Sequence, residues 1–488
     1  MHKAENFLQS LQPAVDLFLS HTENNSKIRI VTHNDADGLS CGGILSVAVL
    51  RSGGSFRISG EKRLDEKLIS KLSEEDYDLL ILSDFGSGYL DIISQSLEGD
   101  IIVFDHHLCI EGDYPKITHI NPMLNGVDGA REISAAGVCY LFARELSETN
   151  KDLAALGLVG GLGDQQDKGK RKSLVGMNTM IEEEAMENHL LDKRSGLVFY
   201  GYETRPLAKA ISYTTQPFIP GLSGSEGNCV AFLKGVGLDL EKENGLRSLA
   251  DLDDNETRLL FSSLSSHMVN NGCSSESIHQ LIGTIYTFKL EEPSTSLRNG
   301  REYASLLNAC GRMGRPGLGI SICLGDRSDA LEEAQEVLDE YRWKIAQSLD
   351  WVQSNEKVVE KDGIYVINAE DHIDDTVIGV VSGILLGQGI LKHKKPIIST
   401  AWSEDDTIKV SARGLESLVE KGIHMGKVMQ EAAELVEGAG GGHDVAAGAY
   451  IPLGREEDFL SAVDEIIRRY LQEDYDQSIS HVRDQGDV

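Results

Sequence analysis

At 488 residues the chain is too long for one simple core, so two or three domains are expected. Its 41% hydrophobic content is that of a globular protein, no apolar run approaches a membrane span, and seven scattered cysteines without a C-x-x-C pair argue against structural zinc and a disulfide framework. The net charge of −32 weighs against nucleic acid as a partner unless bound divalent cations and a local basic groove offset it.

The opening MHKAENFLQS lacks the layout of a secretory signal, which together with the cysteine usage fits a reducing cytoplasm. Through the first 165 residues strand and helix patterns alternate. KIRIVTH (27–33), DLLILSD (78–84), DIIVFDHH (100–107) and ITHINP (117–122) read as short buried strands. GLSCGGILSVAVLRS and LDEKLISKLSE lie between them as helices, and SAAGVCYLFARELSE and DLAALGLVGGLGDQQD follow with small or apolar residues at helical spacing. That alternation predicts an α/β fold, a parallel sheet with helices on both faces. The middle, roughly 200–326, carries loop-like patches and a Gly/Arg-rich stretch, LNACGRMGRPGLG, whose Arg312 and Arg315 read slightly better as surface arginines than as anion contacts. Leu331, Ala334, Leu338, Tyr341, Ile345, Leu349 and Val352 then step by three and four, which predicts one long amphipathic helix bridging two domains. A second α/β unit follows, with GIYVINA, KPIISTAW and TIKVSARG as strands and TVIGVVSGILLGQ and GIHMGKVMQEAAELVEG as helices. The acidic end, QEDYDQSISHVRDQGDV, is expected to be loose.

Four acidic or histidine clusters sit where these strands and helices end: THNDADG (32–38), LSDFG (82–86), FDHH (104–107) and GLGDQQD (161–167). In a parallel sheet such ends converge on one edge. Alone, each has a plain explanation: an acidic turn, a helix cap at Asp84, a solvated helix end at Asp164 and Asp167. Together they are harder to dismiss. Asp35, Asp37, Asp84, Asp105 and Asp164 packed without cations would force several to stay protonated, and two divalent ions resolve that repulsion. Carboxylate and imidazole donors without thiolate favour Mn2+ or Mg2+.

Near the C-terminus, Gly440, Gly441 and Gly442 offer an anion close approach to backbone, with His443 and Arg413 nearby in type; a tight turn before the strand AAGAYIP explains the same glycines equally well.

The ordered set DADG, SD, DHH, GD and GGGHDVAAG resembles the DHH phosphoesterase superfamily with its DHH-associated domain, and the stretches HINPMLNGVDGAREISAAGV and ETRPLAKAISYTTQPFIPGLSGSE resemble archaeal RecJ-like nucleases. The resemblance covers nearly the whole chain. It implies a catalytic domain at 1–200, a middle domain at 201–326, a connecting helix at 327–357, a nucleic-acid-binding DHH-associated domain at 358–475 and an acidic tail at 476–488. It further implies a two-metal phosphodiesterase, with Mn2+ the first choice and Mg2+ the second. His33, Asp35 and Asp84 would hold one ion, and Asp37, Asp84, His106 and Asp164 the other, with Asp84 as the bridge. His33 stands two residues before Asp35, where several relatives leave four. Asp167 would be a supporting residue behind Asp164. His107 would contact the scissile phosphate, and Asp105 would orient His106 or join the ligands. Arg413, Gly441, Gly442 and His443 match the family's substrate-binding motif, and Ser134, at a helix N-terminus, would hold a further phosphate.

The implied function is a metal-dependent exonuclease on single-stranded DNA or RNA in replication or repair, with the GINS complex as a family-level partner and no membrane. A nano-oligonucleotide phosphodiesterase and a replisome scaffold related to the eukaryotic RecJ-like helicase subunit are the alternatives. Filled ligand positions weigh against the scaffold as sole function, and the middle region is surplus for the small-substrate enzyme.

Overall fold

The computed structural model describes residues 2–110, 112–214, 217–387, 391, 395–403 and 406–484, with side chains as far as Leu471. The chain divides into two units, Met1–Thr214 with Ile219–Leu338, and Asp339–Val488 with Thr215–Phe218.

The first unit opens with two helices the sequence patterns did not single out, α1 (His2–Ser10) and α2 (Gln12–Glu23). Its sheet follows: β1 (Lys27–His33), β2 (Ser55–Glu61), β3 (Leu79–Ser83), β4 (Asp100–Phe104) and β5 (Ile117–Ile120), all parallel in the order β2-β1-β3-β4-β5. β3 and β4 are buried on both faces, as continuous apolar runs require. β2 leaves no apolar run in the sequence, because it is an edge strand whose SFRISGE is exposed or half-exposed throughout. Helices α3 (Ala36–Arg51), α4 (Glu66–Glu74), α5 (Leu90–Ser96), α6 (Ala135–Leu146) and α7 (Ala154–Gly163) supply the two outer layers. Leu68, Leu72 and Ile93 meet Leu80, Leu82 and Val103 on one face, while Phe142 of α6 packs on Phe104 from the other at 4.7 Å between ring centroids. α3, α6 and α7 pack against one another there. This layering sends the ends of β1, β3 and β4, and the end of α7, toward one edge.

Beyond α8 (Met177–Glu187), β6 (Leu191–Leu197) pairs antiparallel with β9 (Ile282–Phe288). Between them lies a helical subdomain of α9 (Leu207–Ser212), α10 (Glu226–Val236), α11 (Asp254–Asn270) and α12 (Ser275–His279), with a short ribbon of β7 (Glu241–Lys242) and β8 (Gly245–Leu246). Its core is built from residues such as Leu207, Ile211, Leu233, Leu260 and Leu264. The following α13 (Gly300–Arg312) and α14 (Pro316–Cys323) leave this subdomain and pack on α3, and α13 also on α7. Residues 201–326 are therefore not one packed body: the Gly/Arg-rich stretch belongs with the sheet's helices.

Helix α15 (Asp329–Ser354) starts in the first unit and ends in the second. The second unit holds a mixed sheet of β10 (Val358–Glu360), β11 (Tyr365–Asn368), β12 (Ile397–Trp402), β13 (Thr407–Arg413), β14 (Ala439–Gly442) and β15 (Ala446–Pro452), ordered β10-β11-β12-β13-β15-β14, with only β11 and β12 parallel. Helices α16 (Ile378–Gly387), α17 (Glu416–Val419), α18 (Met425–Glu434) and α19 (Glu456–Asp484) complete it. Val428, Met429, Phe459 and Val463 close the core over Val410, Ala449 and Ile451. The expected loose end is helical instead: α19 continues through 476–484, and only 485–488 lie outside the described residues. No helix among the described residues is long and apolar enough to cross a membrane.

Candidate metal centre

The loop after β1 places His33 and Asp35 side by side. Asp35 caps α3, its Oδ1 accepting from the Gly38 N–H at 3.0 Å, while Oδ2 lies 3.0 Å from His33 Nδ1. Gly38 has to be glycine, since a Cβ there would stand 2.3 Å from the His33 carbonyl oxygen. At the end of β3, Asp84 takes a left-handed conformation (φ 64°), with its N–H donating to the Phe104 carbonyl at 2.9 Å. That backbone costs a side chain free energy, less for aspartate than for most residues, and here it turns a buried carboxylate toward the histidines. Asp84 Oδ2 lies 3.2 Å from His33 Nδ1, and Oδ1 lies 3.3 Å from His106 Nε2. His106 Nε2 is in turn 3.2 Å from Asp164 Oδ2 and 3.7 Å from Asp37 Oδ2. His33, Asp35 and Asp84 thus form one constellation able to hold a cation, and Asp37, His106 and Asp164 another; His107 also comes within range of Asp84 and His106.

The supporting layer sorts the remaining candidates. The short 2.6 Å contact from His106 Nδ1 to the Gly129 carbonyl fixes a proton on Nδ1, leaving Nε2 as the atom turned to the carboxylates. Gln166 donates to that same carbonyl at 2.9 Å and accepts from Asn178 at 2.7 Å, all three residues' polar groups being buried. Gln166, which no sequence pattern flagged, takes the supporting place expected of Asp167; Asp167 turns away to the guanidinium of Arg301. Asp105 is not among the converging donors, but it holds the His106–His107 turn, its Oδ1 accepting from the backbone N–H groups of His106 and His107 at 2.8 and 3.2 Å. Its Oδ1 accepts from His107 Nδ1 at 2.8 Å and its Oδ2 from the Ser87 N–H at 2.8 Å, so it aims His107. Ser134 is a correction of another kind. It is fully buried and caps α6 through the Gly137 N–H, while the N–H groups of Ala135 and Ala136 donate to the two oxygens of Asp37 at 2.8 and 2.9 Å. The helix N-terminus serves a carboxylate rather than a substrate phosphate.

A distant helix closes the first loop. Asn308 of α13 accepts from the Ala36 N–H at 3.0 Å, and Asn34 donates to the Gly311 carbonyl at 3.1 Å. A Cβ on Gly311 would stand 1.5 Å from the Asn34 carbonyl oxygen.

The electrostatics of this cluster call for cations. Burial and the neighbouring Asp84 raise the Asp37 carboxyl to about 7, and burial with Asp37 pushes Asp164 well above the usual carboxylate range. Burial favours the neutral imidazole in His33 and His106, but Asp35 and Asp84 around the first and Asp84, Asp164 and Asp37 around the second outweigh it and raise both. Burial of Asp35 and Asp105 is likewise overcome, chiefly by His33 and His107 respectively, and both are lowered. Asp84 Oδ1 and His106 Nε2 are buried without a hydrogen-bond partner. Carboxylate oxygens and an imidazole nitrogen that converge in a buried place suit a divalent cation, and oxygen and imidazole ligands of this kind fit Mn2+ or Mg2+.

Known proteins match this arrangement. Models of the DHH family N-terminal domain, the DHH-CID domain and the DHHA1 domain match residues 27–160, 199–282 and 364–469. An uncharacterized protein of Methanocaldococcus jannaschii is 34% identical over 452 residues, covering 91% of this chain and 94% of that one. The chain belongs to the DHH phosphoesterase superfamily. Among solved structures, RecJ from Thermus thermophilus, determined with Mn2+ and with Mg2+, superimposes in the Mn2+ form with a TM-score of 0.59 at 17% identity, over 94% of this chain. This chain corresponds to 55% of that RecJ. CDC45 from Entamoeba histolytica superimposes with a TM-score of 0.64 at 11% identity, over 94% of this chain and 99% of its own. The RecJ-like fold is thereby shared with a protein solved with metal and with CDC45.

In the DHHA1 domain, Arg413 ends β13 opposite Ala446, and Gly442 pairs with Ala447, so Arg413, Gly442 and His443 gather at one end of the sheet. The His443 N–H closes the β14–β15 turn on the Ala446 carbonyl at 2.8 Å. Gly440 and Gly442 answer to packing: a Cβ would meet the Met429 carbonyl oxygen at 2.4 Å in the first case and Ala447 at 2.6 Å in the second. Gly441 faces open space, so no such contact demands a glycine there.

Proposed function

We propose that this DHH protein is a metal-dependent exonuclease that hydrolyses phosphodiester bonds of single-stranded DNA or RNA at a two-metal centre, in replication or repair. The observation that carries the reading is Asp84, whose two oxygens face two separate donor constellations from a strained backbone. His33, Asp35 and Asp84 would hold one ion, and Asp37, Asp84, His106 and Asp164 the other. Bound there, two divalent cations, Mn2+ by preference, supply an acidified water and neutralise charge on the phosphoryl oxygens. His107, held by Asp105, contributes a hydrogen bond or proton to the phosphate from the open side of the cluster. The two α6 N–H donors hold the Asp37 carboxylate in place and favour its ionised form against the burial that raises it, and Gln166 with Asn178 keeps the Gly129 carbonyl on His106. Arg413, Gly441, Gly442 and His443 provide a further contact for the strand, and GINS is the partner to test first.

The fold shared with CDC45 supports a second reading, a replisome scaffold. End-labelled single strands of DNA and RNA with Mn2+ separate the two. Stepwise shortening by wild type and none by Asp84→Ala supports the nuclease, whereas intact strands with both proteins favour the scaffold. Preference for two-to-five-nucleotide substrates would favour the nano-oligonucleotide enzyme.

A further inference from the structure

The chain's net charge is −32, yet one open cavity of about 480 Å3 in the first unit is lined by cations. Lys170, Arg171, Lys193 and Arg194 surround it, with the hydroxyls of Ser173 and Ser195 and with Thr284 at its wall; no carboxylate is among the lining residues. None of these residues falls within the spans matched by the three domain models.

The loop bearing two of these cations is built, not loose. It leaves Asp164 and is pinned first by buried Gln166 and then by the Asp167–Arg301 pair. The Gly169 N–H returns to the Ser173 carbonyl at 2.8 Å, closing a tight turn. Arg171 and Lys172 both take left-handed backbone, φ 58° and 52°, an arrangement that costs free energy and persists only when its surroundings enforce it. Two contacts to the Arg171 carbonyl enforce it, from the Thr284 N–H at 2.7 Å and the Thr284 hydroxyl at 3.1 Å. Arg301 adds a third anchor, to the Lys172 carbonyl at 2.8 Å. The opposite wall is the β6 strand, where Lys193 pairs with buried Glu182 and Arg194 lies over the Tyr202 ring at 5.0 Å. Lys170 and Arg171, by contrast, have no carboxylate partner among the described residues, and both are exposed.

We propose that this cavity is a phosphate-binding station for the substrate strand, set off from the metal centre and reading backbone rather than bases. The inference rests on the nuclease reading above. Its lining offers ammonium, guanidinium and hydroxyl donors and no aromatic face, which suits phosphodiester oxygens and gives no base readout. Asp164 and Lys170 are six positions apart, so their Cα atoms lie within about 20 Å of each other. At about 3.4 Å between phosphates of one stacked strand, some six nucleotides cover that distance. A strand of about six or more nucleotides is therefore long enough to use both, whereas a dinucleotide occupies the metal centre alone.

The test is strand binding by the full-length protein, with Lys170→Gln/Arg171→Gln made in the Asp84→Asn background so that cleavage does not intervene. Anisotropy of a labelled oligothymidylate of about 20 nucleotides is followed against salt. The affinity is expected to fall roughly tenfold at about 50 mM salt, and the slope of log K against log salt to flatten by about 1.4, the share of two phosphate contacts on a single strand. Unchanged affinity and slope overturn the proposal. So does polyglutamate of equal charge losing as much binding as oligothymidylate, which would assign the cavity to an acidic protein. In the otherwise wild-type Mn2+ enzyme, the same pair of substitutions is expected to slow cleavage of the long strand while a dinucleotide is hydrolysed at the parent rate. If the parent cleaves neither substrate, the nuclease reading fails by itself, and the binding experiment still decides the cavity.

Discussion

Asp84 Oδ1 stands 3.3 Å from His106 Nε2, both atoms buried and neither with a hydrogen-bond partner, while the opposite oxygen of Asp84 faces His33. A carboxylate so placed is expected to be shared between two cations. Asp84→Ala should lower nuclease activity by several orders of magnitude and reduce bound Mn2+ from two ions to one or none, read by titration with electron paramagnetic resonance. Two tightly bound ions in the variant would remove Asp84 from the bridging role.

The same residue carries a backbone cost. In metal-free protein, Asp84→Gly should unfold at a higher temperature than Asp84→Ala, because both remove the carboxylate but only glycine accepts φ 64° freely. The difference should be on the order of 1 kcal/mol, measured by thermal or denaturant unfolding.

His107 and Asp105 form a separable pair. Asp105→Asn and His107→Ala should each reduce kcat, by roughly 10²–10⁴ for loss of a general acid or a comparable charge-stabilising contact, with Mn2+ stoichiometry unchanged. Gln166→Ala acts on the other histidine. Losing the donor that shares the Gly129 carbonyl should weaken metal affinity by about 10–100-fold, visible as a shift in the Mn2+ dependence of activity rather than in kcat at saturation.

Metal-free protein should be more stable at pH 6 than at pH 8. Asp37 is raised from 3.8 to about 7, and His33 and His106 are raised above 6.5, so the folded state holds these protons more tightly than the unfolded chain does. The contribution of Asp37 is fully present below pH 3.8 and is lost as pH rises through about 7; those of the histidines are lost at higher pH. Thermal melts in chelator should show the decline, Asp37→Asn should flatten its part near pH 7, and saturating Mn2+ should reverse it by displacing the protons.

The strands that end in the candidate ligands were legible because each is a short apolar run broken by Asp or His, and β3 and β4 owe their double burial to that same composition. The alternation of strand and helix fixed where those runs would converge. The rest depended on distance that sequence does not carry. Gln166 and Asn178 are ordinary amides until folding sets them behind one carbonyl. An N-cap serine such as Ser134 reads identically whether the helix donors it frees hold a phosphate or, as here, the carboxylate of Asp37. Gly129 and Gly311 are two glycines among 50, distinguished only by the carbonyl oxygens that crowd them. The half-exposed edge strand β2 and the helices α1 and α2 had no motif to announce them.

The clasp of Asn308 and Gly311 on the Asn34–Ala36 loop joins groups 272 and 277 positions apart. During synthesis, the last proposed ligand, Asp164, leaves the ribosome long before the residues that close the first loop. For well over a hundred residues of elongation the nascent chain carries every proposed ligand and lacks the clasp on the loop that bears the first of them. The metal centre is thereby completed only when α13 has been made. A product ending before α13 would carry the same aspartates and histidines without that clasp.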